Sequence, residues 1–147
     1  MTRHTILFTV AIGVLTLVPL SGAPPSGPNA LETDQVIMPG TGVAGVRIGE
    51  RMRPTKEYAK LGLEVGNHSG AKLVDFIIVK NPKYVTKDGL RVGSTLAMVQ
   101  KIYPNGVLFD PEDDYAVGYD KYMAVKDFSY YFTKGKVSSI FISSLGG

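Results

Sequence analysis

An eight-residue phrase occurs twice in this chain, at positions 44 residues apart. Residues Gly45–Met52 read Gly-Val-Arg-Ile-Gly-Glu-Arg-Met, and residues Gly89–Leu96 read Gly-Leu-Arg-Val-Gly-Ser-Thr-Leu. Each copy has another glycine 13 residues after its second one, Gly62 in the first copy and Gly106 in the second. A solenoid needs more stacked repeats than this, so the two copies predict a single domain built from two related halves.

The N-terminal residues have the pattern of an export signal. A short basic start at Arg3 is followed by an apolar run from Ile6 to Val18, and this run is shorter than the ~18 residues that indicate a membrane-spanning helix. We therefore predict a signal peptide over residues 1–23, with an uncleaved N-terminal anchor as the alternative. The expected location is periplasmic or secreted.

The absence of cysteine limits how an exported domain can be held together. The sequence has no cysteine, which excludes a lipidated cysteine and any disulfide, so the core alone must hold the fold. Residues 24–34 are predicted to form a proline-rich linker. Residues 35–147 are enough for one domain with a real core, with half-repeats at about 44–87 and 88–147.

A short helical pattern follows each glycine phrase. In the second copy, Ser94 or Thr95 is suited to cap a helix that runs to Tyr103. In the first copy, Pro54 is predicted to be the first helical residue, and Gly62 lies just beyond the end of the helix. The residues expected to face the core are Met52, Tyr58 and Leu61 in the first helix and Leu96, Val99 and Ile102 or Tyr103 in the second.

Segments with high β-propensity follow each helix. They are residues 73–79 and 84–86 in the first half, and residues 106–109, 115–125, 128–133 and 137–142 in the second. Residues 134–136 are predicted to form a three-residue hairpin loop that contains glycine. The pattern predicts an α+β fold, in which two short helices pack on an antiparallel sheet built from two degenerate helix-plus-hairpin repeats.

This order of glycine phrase, short helix and hairpins resembles two groups of exported proteins. Residues 86–142 hold most of the likeness, in particular the phrase Gly89–Thr95 and the closing segment around Gly135–Val137. One group is the SmpA/OmlA-like (BamE-like) module of small outer-membrane assembly lipoproteins. The other is the secreted beta-lactamase inhibitory proteins, which are tandem repeats of such a unit. The resemblance implies a protein-binding role, either in the envelope or as an inhibitor.

Two glycine-rich segments invite a phosphate-binding interpretation that their surroundings do not support. Residues 40–45 match the dinucleotide fingerprint Gly-x-Gly-x-x-Gly, but that site needs a strand before the glycines and a helix directly after them. Here Pro39 precedes the motif and the strand-like residues 46–48 follow it. Residues Gly89–Thr95 lack the spacing and the lysine of a phosphate loop. We predict a flexible entry loop at the first segment and a turn followed by a helix start at the second, with no nucleotide and no cofactor.

Few side chains are suited to catalysis or to metal binding. His68 is the one histidine that follows the predicted signal peptide, so a histidine-dependent triad or a zinc site lacks partners. Residues 110–114 contain four carboxylates. We interpret them as a solvated acidic loop, with calcium binding left open because calcium prefers several oxygen ligands in a flexible loop. No enzymatic activity is expected, and no catalytic or metal-ligating residue is predicted.

The most unusual local feature of the sequence is a cluster of aromatic residues. Seven of them fall within residues 115–132. Tyrosine combines a large contact area with a polar tip, which explains its enrichment at interfaces. Alternation along a strand places Tyr130 and Phe132 on one face of a sheet and Tyr131 on the other. About half of these rings are expected in the core. The predicted binding surface consists of Tyr115, Tyr119, Tyr122 and Tyr131 beside the acidic residues Asp113 and Asp114.

Charge is distributed unevenly along the chain. Residues 47–101 contain eleven Lys and Arg against five acids, and residues 102–147 contain four against six. This uneven charge either attracts an anionic partner to the first half or only keeps the surface solvated. Because export is expected, nucleic acid is a poor candidate partner. We expect a non-enzymatic protein-binding module of the bacterial cell envelope. The alternative is a secreted inhibitor of a hydrolase. Membrane association is expected only if the N-terminal segment stays uncleaved.

Overall fold

The computed structural model describes residues 33–68, 70–110, 118–125 and 128–143. The elements in chain order are a 3-10 turn Thr33–Gln35, β1 Val36–Ile37, β2 Gly42–Val43, β3 Val46–Arg47, α1 Thr55–Leu61, β4 Leu63–Gly66, β5 Phe76–Val79, β6 Val85–Thr86, α2 Leu96–Ile102, β7 Val107–Phe109, β8 Lys121–Val125, β9 Phe128–Thr133 and β10 Lys136–Ser143. None of the helices in these ranges is long and apolar enough to cross a membrane.

The domain is organised around one six-stranded antiparallel sheet, with strand order β4-β5-β10-β9-β8-β7. The first half of the chain supplies β4 and β5, and the second half supplies the other four strands. The halves join where β5 pairs with β10, and Ile78 lies opposite Phe141 at this junction. Two small pairs accompany the sheet, β1 with β6 in parallel and β2 with β3 antiparallel. The predicted α+β class is therefore confirmed.

The two faces of the sheet differ in their surroundings. One face is buried under the helices and the loops that lead into them, and Tyr58 of α1 and Val99 of α2 belong to the same core as the inward strand residues. The inward residues alternate along each strand, as expected for a half-buried sheet. They include Leu63, Ile77, Val79, Met123, Val125, Phe128, Tyr130, Phe132, Ile140 and Ile142. We call the opposite side the outer face.

The second helix forms as its sequence predicts. The Thr95 side chain caps α2 by accepting a hydrogen bond from the Met98 N–H at 3.2 Å, which satisfies one of the unpaired donors of the first turn. Val99 is fully buried and Tyr103 packs against the core, whereas Ile102 is exposed. Of the two residues considered for the last core contact, Tyr103 is therefore the one that faces inward.

The first helix begins one residue later than predicted. Pro54 has an extended ψ of 132° and precedes α1, so Thr55 is the first helical residue. Gly62 ends the helix in the left-handed conformation, with φ at 72°, which glycine adopts without strain. Seven residues form a marginal helix in isolation, so the burial of Tyr58 in the core stabilises α1.

The strands of the second half differ from the prediction in their bounds. The predicted three-residue hairpin loop is wrong by one residue, because Lys136 pairs with Thr133 and leaves a two-residue turn. Lys134 and Gly135 both have positive φ, at 52° and 71°, as a type I′ turn requires. The strand predicted over residues 115–125 begins at Lys121 among the described residues.

The two glycine phrases make matching backbone contacts. Gly49 donates to the carbonyl of Val74 at 2.7 Å, and the N–H of Val74 donates to the carbonyl of Glu50 at 2.8 Å. In the second phrase, Gly93 donates to the carbonyl of Val137 and the N–H of Val137 donates to the carbonyl of Ser94, both at 2.8 Å. The bridge between Arg51 and Leu73 has its counterpart between Thr95 and Lys136. The first phrase is thus fixed to the residues just before β5 and the second to the start of β10, while descent of the halves from one unit stays a prediction.

Candidate binding surface

Aromatic side chains cross the outer face of the sheet from its second strand to its last. Each of the strands β5, β10, β9, β8 and β7 contributes one ring, and another ring lies just before β8. Five of these rings are half-buried, and Phe109 on the edge strand is 40% exposed. We call this set the aromatic row, and its members are Phe76, Phe141, Tyr131, Tyr119, Tyr122 and Phe109.

Tyr131 lies at the centre of the aromatic row. Its ring centroid is 4.6 Å from that of Tyr119 and 5.8 Å from that of Tyr122. On the other side, Phe141 lies 6.3 Å away with its ring plane at 77°. These edge-to-face and offset arrangements are the ones that aromatic pairs prefer. Three neighbours therefore restrict the orientation of the Tyr131 ring.

The ends of the aromatic row are stacked pairs. Phe109 and Tyr122 stack with centroids 4.9 Å apart and planes at 17°, and they are direct partners in the register of β7 and β8. Phe76 and Phe141 stack at 5.5 Å and 22°. Beyond Phe76, the ring of His68 lies 4.9 Å away. Ring contacts thus continue across six aromatic positions and one histidine.

Simple alternation places Tyr131 on the outer face. Phe128, Tyr130 and Phe132 of β9 are buried, and the residues between them are half-buried. The prediction that Tyr130 and Phe132 share one face while Tyr131 takes the other is therefore confirmed. Tyr122 lies directly opposite Tyr131 in the pairing of β8 with β9, so cross-strand register brings the two rings together.

A glycine leaves room for the first ring of the aromatic row. Gly66 lies opposite Phe76 in the pairing of β4 with β5. A Cβ atom at Gly66 would lie 2.4 Å from the Phe76 ring, which is closer than two carbon atoms can approach. The ring therefore covers the glycine, an arrangement that compensates for the missing side chain on an edge strand.

A groove of about 470 Å³ runs beside the centre of the aromatic row. Glu64 and Lys80 line one side and form an ion pair at 2.6 Å. The Ser138 hydroxyl donates to the carbonyl of Tyr131 at 3.1 Å. The other lining residues are Ile78, Gly118, Tyr119, Ser139 and Phe141. The groove thus combines three aromatic rings and Ile78 with an ion pair and two serines, and binding sites commonly join apolar walls to a few polar groups in this way.

The ring at the centre of the aromatic row is uncharged at neutral pH. Burial raises the pKa of Tyr131, and the neighbouring Tyr119 and Tyr122 raise it further, so the Tyr131 hydroxyl stays protonated. Two charged side chains at the margin of this surface, Lys80 and Glu64, form an ion pair at 2.6 Å. A partner therefore meets a neutral ring at the centre of the row, with charged groups beside it.

The structure brings together half of the residues predicted as a binding surface. Tyr119, Tyr122 and Tyr131 are in mutual ring contact. Tyr115, Asp113 and Asp114 lie outside the described residues. Sequence reasoning missed Phe76, Phe109 and Phe141, which come from distant parts of the chain. The alternation along each strand is a signal that could have placed these residues on the outward side. Their contact with the tyrosines, however, depends on the strand order and register.

The other motifs have structural explanations within the described residues. Residues 40–45 lead through the β2–β3 hairpin, and the next helix does not begin until Thr55, so the strand–turn–helix of a dinucleotide site is not formed. The backbone N–H of His68 donates to Asp75 Oδ2 at 2.9 Å, and its side chain is exposed. Across the described ranges, no three His, Cys, Asp or Glu residues cluster as a metal site would require.

Comparison with protein-family models, curated proteins and solved structures finds no match to this chain. The aromatic row and its groove are therefore the basis for a functional assignment.

Proposed function

We propose that this protein is a non-enzymatic module of the bacterial cell envelope that binds another protein through the aromatic row. The observation that supports this function is the filling of the outer face by mutually contacting rings. The solvated face of an antiparallel sheet normally alternates to polar residues. Here the outward positions Tyr122, Tyr131 and Phe141 are aromatic on three successive neighbouring strands.

The energetic argument rests on what a second protein gains by covering these rings. Tyrosine and other aromatic residues dominate interface hot spots, where truncation of one anchor costs about 2 kcal/mol or more. The rings of Tyr119 and Tyr122 both contact Tyr131, so their orientations are already restricted before binding. Less rotational freedom is then lost when the complex forms.

The composition around the rings also favours a protein partner. Hydroxyl side chains occupy the outward positions between or beside the aromatic residues, and they are Ser129, Thr133, Ser139 and Ser143. Tyrosine with serine is the combination found in antibody paratopes, because tyrosine supplies rigid contact area and serine supplies adaptable hydrogen bonds. The outer face of the sheet has the same combination on a more rigid support.

The groove offers contact surface in place of reactive groups. Its carboxylate, Glu64, and its ammonium group, Lys80, are paired with each other and are both exposed. General acid–base or nucleophilic catalysis requires a reactive side chain activated by a neighbouring base or acid. Among the described lining residues Glu64 is the one carboxylate, and it is paired with Lys80 instead of with a groove hydroxyl. This chemistry favours binding over catalysis.

The same surface suits the alternative function, a secreted inhibitor of a hydrolase. In this function the groove would receive one side chain of the partner, and the rings beside it would lie against the rim of the partner's active site. The two functions differ only in the identity of the protein that binds and in the effect on its turnover.

The test is capture of the partner with matched variants of the purified chain. The wild type, the double variant Tyr122→Ser/Tyr131→Ser and the control Lys56→Ser/Lys60→Ser are immobilised and exposed to envelope extract and culture medium. Lys56 and Lys60 are exposed on α1, away from the outer face. We expect the wild type and the control to retain a common protein that the tyrosine variant loses.

The captured protein is then purified and titrated against the chain. A stoichiometric complex that abolishes turnover of a hydrolase identifies the inhibitor, whereas a complex with a structural or assembly protein identifies the envelope module. Equal retention by the tyrosine variant, or no complex with purified components, overturns the proposal.

A further inference from the structure

The groove beside the centre of the aromatic row has the composition of a site for a cation. Three aromatic rings line it, those of Tyr119, Tyr131 and Phe141, and Glu64 supplies one carboxylate. The face of an aromatic ring is electrostatically negative, and it attracts an ammonium or guanidinium group that lies within about 6 Å of the ring centre. Several rings around one cation form the aromatic cages that bind methylated ammonium groups.

The three rings of the groove stand at steep angles to one another. The ring plane of Tyr119 makes an angle of 66° with that of Tyr131, and their centroids are 4.6 Å apart. The plane of Phe141 makes an angle of 77° with that of Tyr131 at 6.3 Å. Rings in this arrangement can surround a small group from more than one side, whereas stacked rings present parallel planes. We call these three rings together with Glu64 the aromatic cage.

Strand β10 contains a β-bulge where it borders the aromatic cage. The pairing of β10 with β9 shifts between Val137 and Ser139, which leaves Ser138 as the extra residue. The Ser138 hydroxyl donates to the carbonyl of Tyr131 at 3.1 Å. Bulges redirect side chains and are frequent next to functional sites. The groove therefore forms where the regular ladder of the sheet is interrupted.

An ammonium group of the chain itself lies at the margin of the aromatic cage. Lys80 Nζ donates to Glu64 Oε1 at 2.6 Å, and both side chains are 56% exposed. An ion pair as exposed as this contributes little stability, so exchange of the partner of Glu64 costs little. A carboxylate also accepts several hydrogen bonds through its two oxygens. Glu64 is therefore able to receive a second cation beside Lys80 or in its place.

The charge of the surrounding strands also favours a cation. All three rings of the aromatic cage belong to residues 102–147, which contain six acids against four Lys and Arg. Such a surplus of negative charge attracts cations, and the attraction acts over about 8 Å at physiological salt. An anionic group would instead meet ring faces and a surplus of charge of its own sign.

We propose that the aromatic cage binds a cationic side chain of the partner protein, either the ammonium group of a lysine or the guanidinium group of an arginine. The cation lies against the rings of Tyr119, Tyr131 and Phe141, and its N–H groups donate to Glu64. This inference rests on the proposed function, because it names the group that the aromatic row recognises on its partner. Small probes test it without any partner, so its failure is distinguished from failure of partner capture.

Nuclear magnetic resonance titration of the purified chain tests the aromatic cage. The cationic probes are N-acetyl-lysine methylamide and N-acetyl-arginine methylamide, and N-acetyl-norleucine methylamide is the neutral control of similar shape. We expect both cationic probes to shift the ring signals of Tyr119, Tyr131 and Phe141, with binding about tenfold tighter than that of the neutral probe. The tighter of the two cationic probes identifies the residue type preferred. Equal binding of all three probes, or no binding of any, overturns the proposal.

Two exposed charges of the groove provide variants that should change binding in opposite directions. Glu64→Gln removes the carboxylate and should reduce the preference for the cationic probes severalfold. Lys80→Met removes the competing ammonium group but keeps an apolar stem, and it should tighten binding of the cationic probes severalfold. The control Lys60→Met lies on α1 and should bind like the wild type. An unchanged preference in Glu64→Gln, or binding in Lys80→Met that is no tighter, contradicts the proposal.

A matched pair at Tyr119 separates ring attraction from simple apolar contact. Tyr119→Phe keeps an aromatic face, whereas Tyr119→Leu replaces it with an aliphatic side chain. We expect the cationic probes to bind severalfold more tightly to the phenylalanine variant than to the leucine variant, and the neutral probe to show no such difference. Equal binding of the cationic probes to the two variants would show that the rings do not hold the cation.

Discussion

Tyr122 and Tyr131 face each other across strands β8 and β9, with ring centroids 5.8 Å apart and ring planes at 27°. The pair is positioned by backbone register, because the two residues are direct partners in the antiparallel ladder. Side chains on strands are held more precisely than side chains on loops. The surface that we assign to partner binding is therefore formed before the partner arrives.

Loss of the central ring should weaken binding more than any other single change on the outer face. Tyr131→Ala removes contacts with Tyr119, Tyr122 and Phe141 as well as contacts with the partner. We expect affinity for the captured protein to fall about tenfold to a hundredfold, as for a hot-spot tyrosine. Isothermal titration calorimetry measures the change, and Lys60→Ala on α1 is the control, which should bind like the wild type.

The Tyr130 hydroxyl is expected to contribute nothing to stability. It is buried and makes no hydrogen bond of normal geometry, although the Tyr103 and Thr86 side chains lie close enough to affect its pKa, and burial of an unpaired polar group costs roughly 1–3 kcal/mol. Tyr130→Phe should therefore leave the free energy of unfolding unchanged or raise it by about 1 kcal/mol. The Tyr103 hydroxyl donates to Asp88 at 2.7 Å, so Tyr103→Phe should instead lower it slightly. Urea denaturation compares the two variants, and a loss of more than about 1 kcal/mol in Tyr130→Phe contradicts the assignment.

Alkaline pH should destabilise the fold through its buried tyrosines. Burial raises the pKa of Tyr130 above the ordinary value of 10.0, and the nearby Tyr103 raises it further. Below pH 10 both the folded and the unfolded states keep the proton on Tyr130. In that range this residue therefore does not make the free energy of unfolding depend on pH. Above pH 10 the unfolded chain ionises first, and stability falls by up to about 1.4 kcal/mol per pH unit for this residue.

The pH effect is measured from urea midpoints on both sides of pH 10. The decline above pH 10 should be shallower in Tyr130→Phe than in the wild type, because one of the groups that resists ionisation in the folded state is gone. Tyr131 and Tyr103 have pKa values raised in the same direction, so part of the decline should remain. Identical slopes in the variant and the wild type would show that Tyr130 does not contribute.

Equivalent glycines in the two phrases should respond equally to substitution. Gly49 and Gly93 have φ values of 82° and 94°, and beyond the adjacent residues of the chain no heavy atom lies within 4 Å of a Cβ placed on either residue. The cost of alanine is therefore backbone strain alone, about 1–2 kcal/mol at each site. Thermal or urea unfolding of Gly49→Ala and Gly93→Ala measures it. A neutral change at one site with a large loss at the other would argue against structural equivalence of the phrases.

Local sequence patterns predicted the ends of the helices and the strand residues that face inward or outward. Thr95 caps α2 and Gly62 ends α1, because capping chemistry depends only on a few consecutive residues. The alternation that turns Tyr131 outward and Tyr130 inward is also local. Errors appeared at boundaries, as at Pro54, where either of two adjacent residues satisfies the sequence rule.

The composition of the aromatic row was only partly predictable. Tyr119, Tyr122 and Tyr131 lie close together in sequence, and their clustering indicated a surface. Phe76 and Phe141 join them because β10 pairs with β5 on one side and β9 on the other, and strand order is not encoded in any local pattern. The matching hydrogen bonds of Gly49 and Gly93 likewise depend on tertiary contacts.

Site-specific photo-crosslinking tests the central claim most directly. A photoreactive phenylalanine analogue is placed at Phe109 or Tyr122 of the aromatic row and, as the control, at Lys60 on α1. The derivatives are incubated with envelope extract and irradiated, and the products are identified by mass spectrometry. The proposed function predicts one shared adduct from Phe109 and Tyr122 and no such adduct from Lys60. The same adduct from Lys60, or none from either position on the outer face, would contradict it.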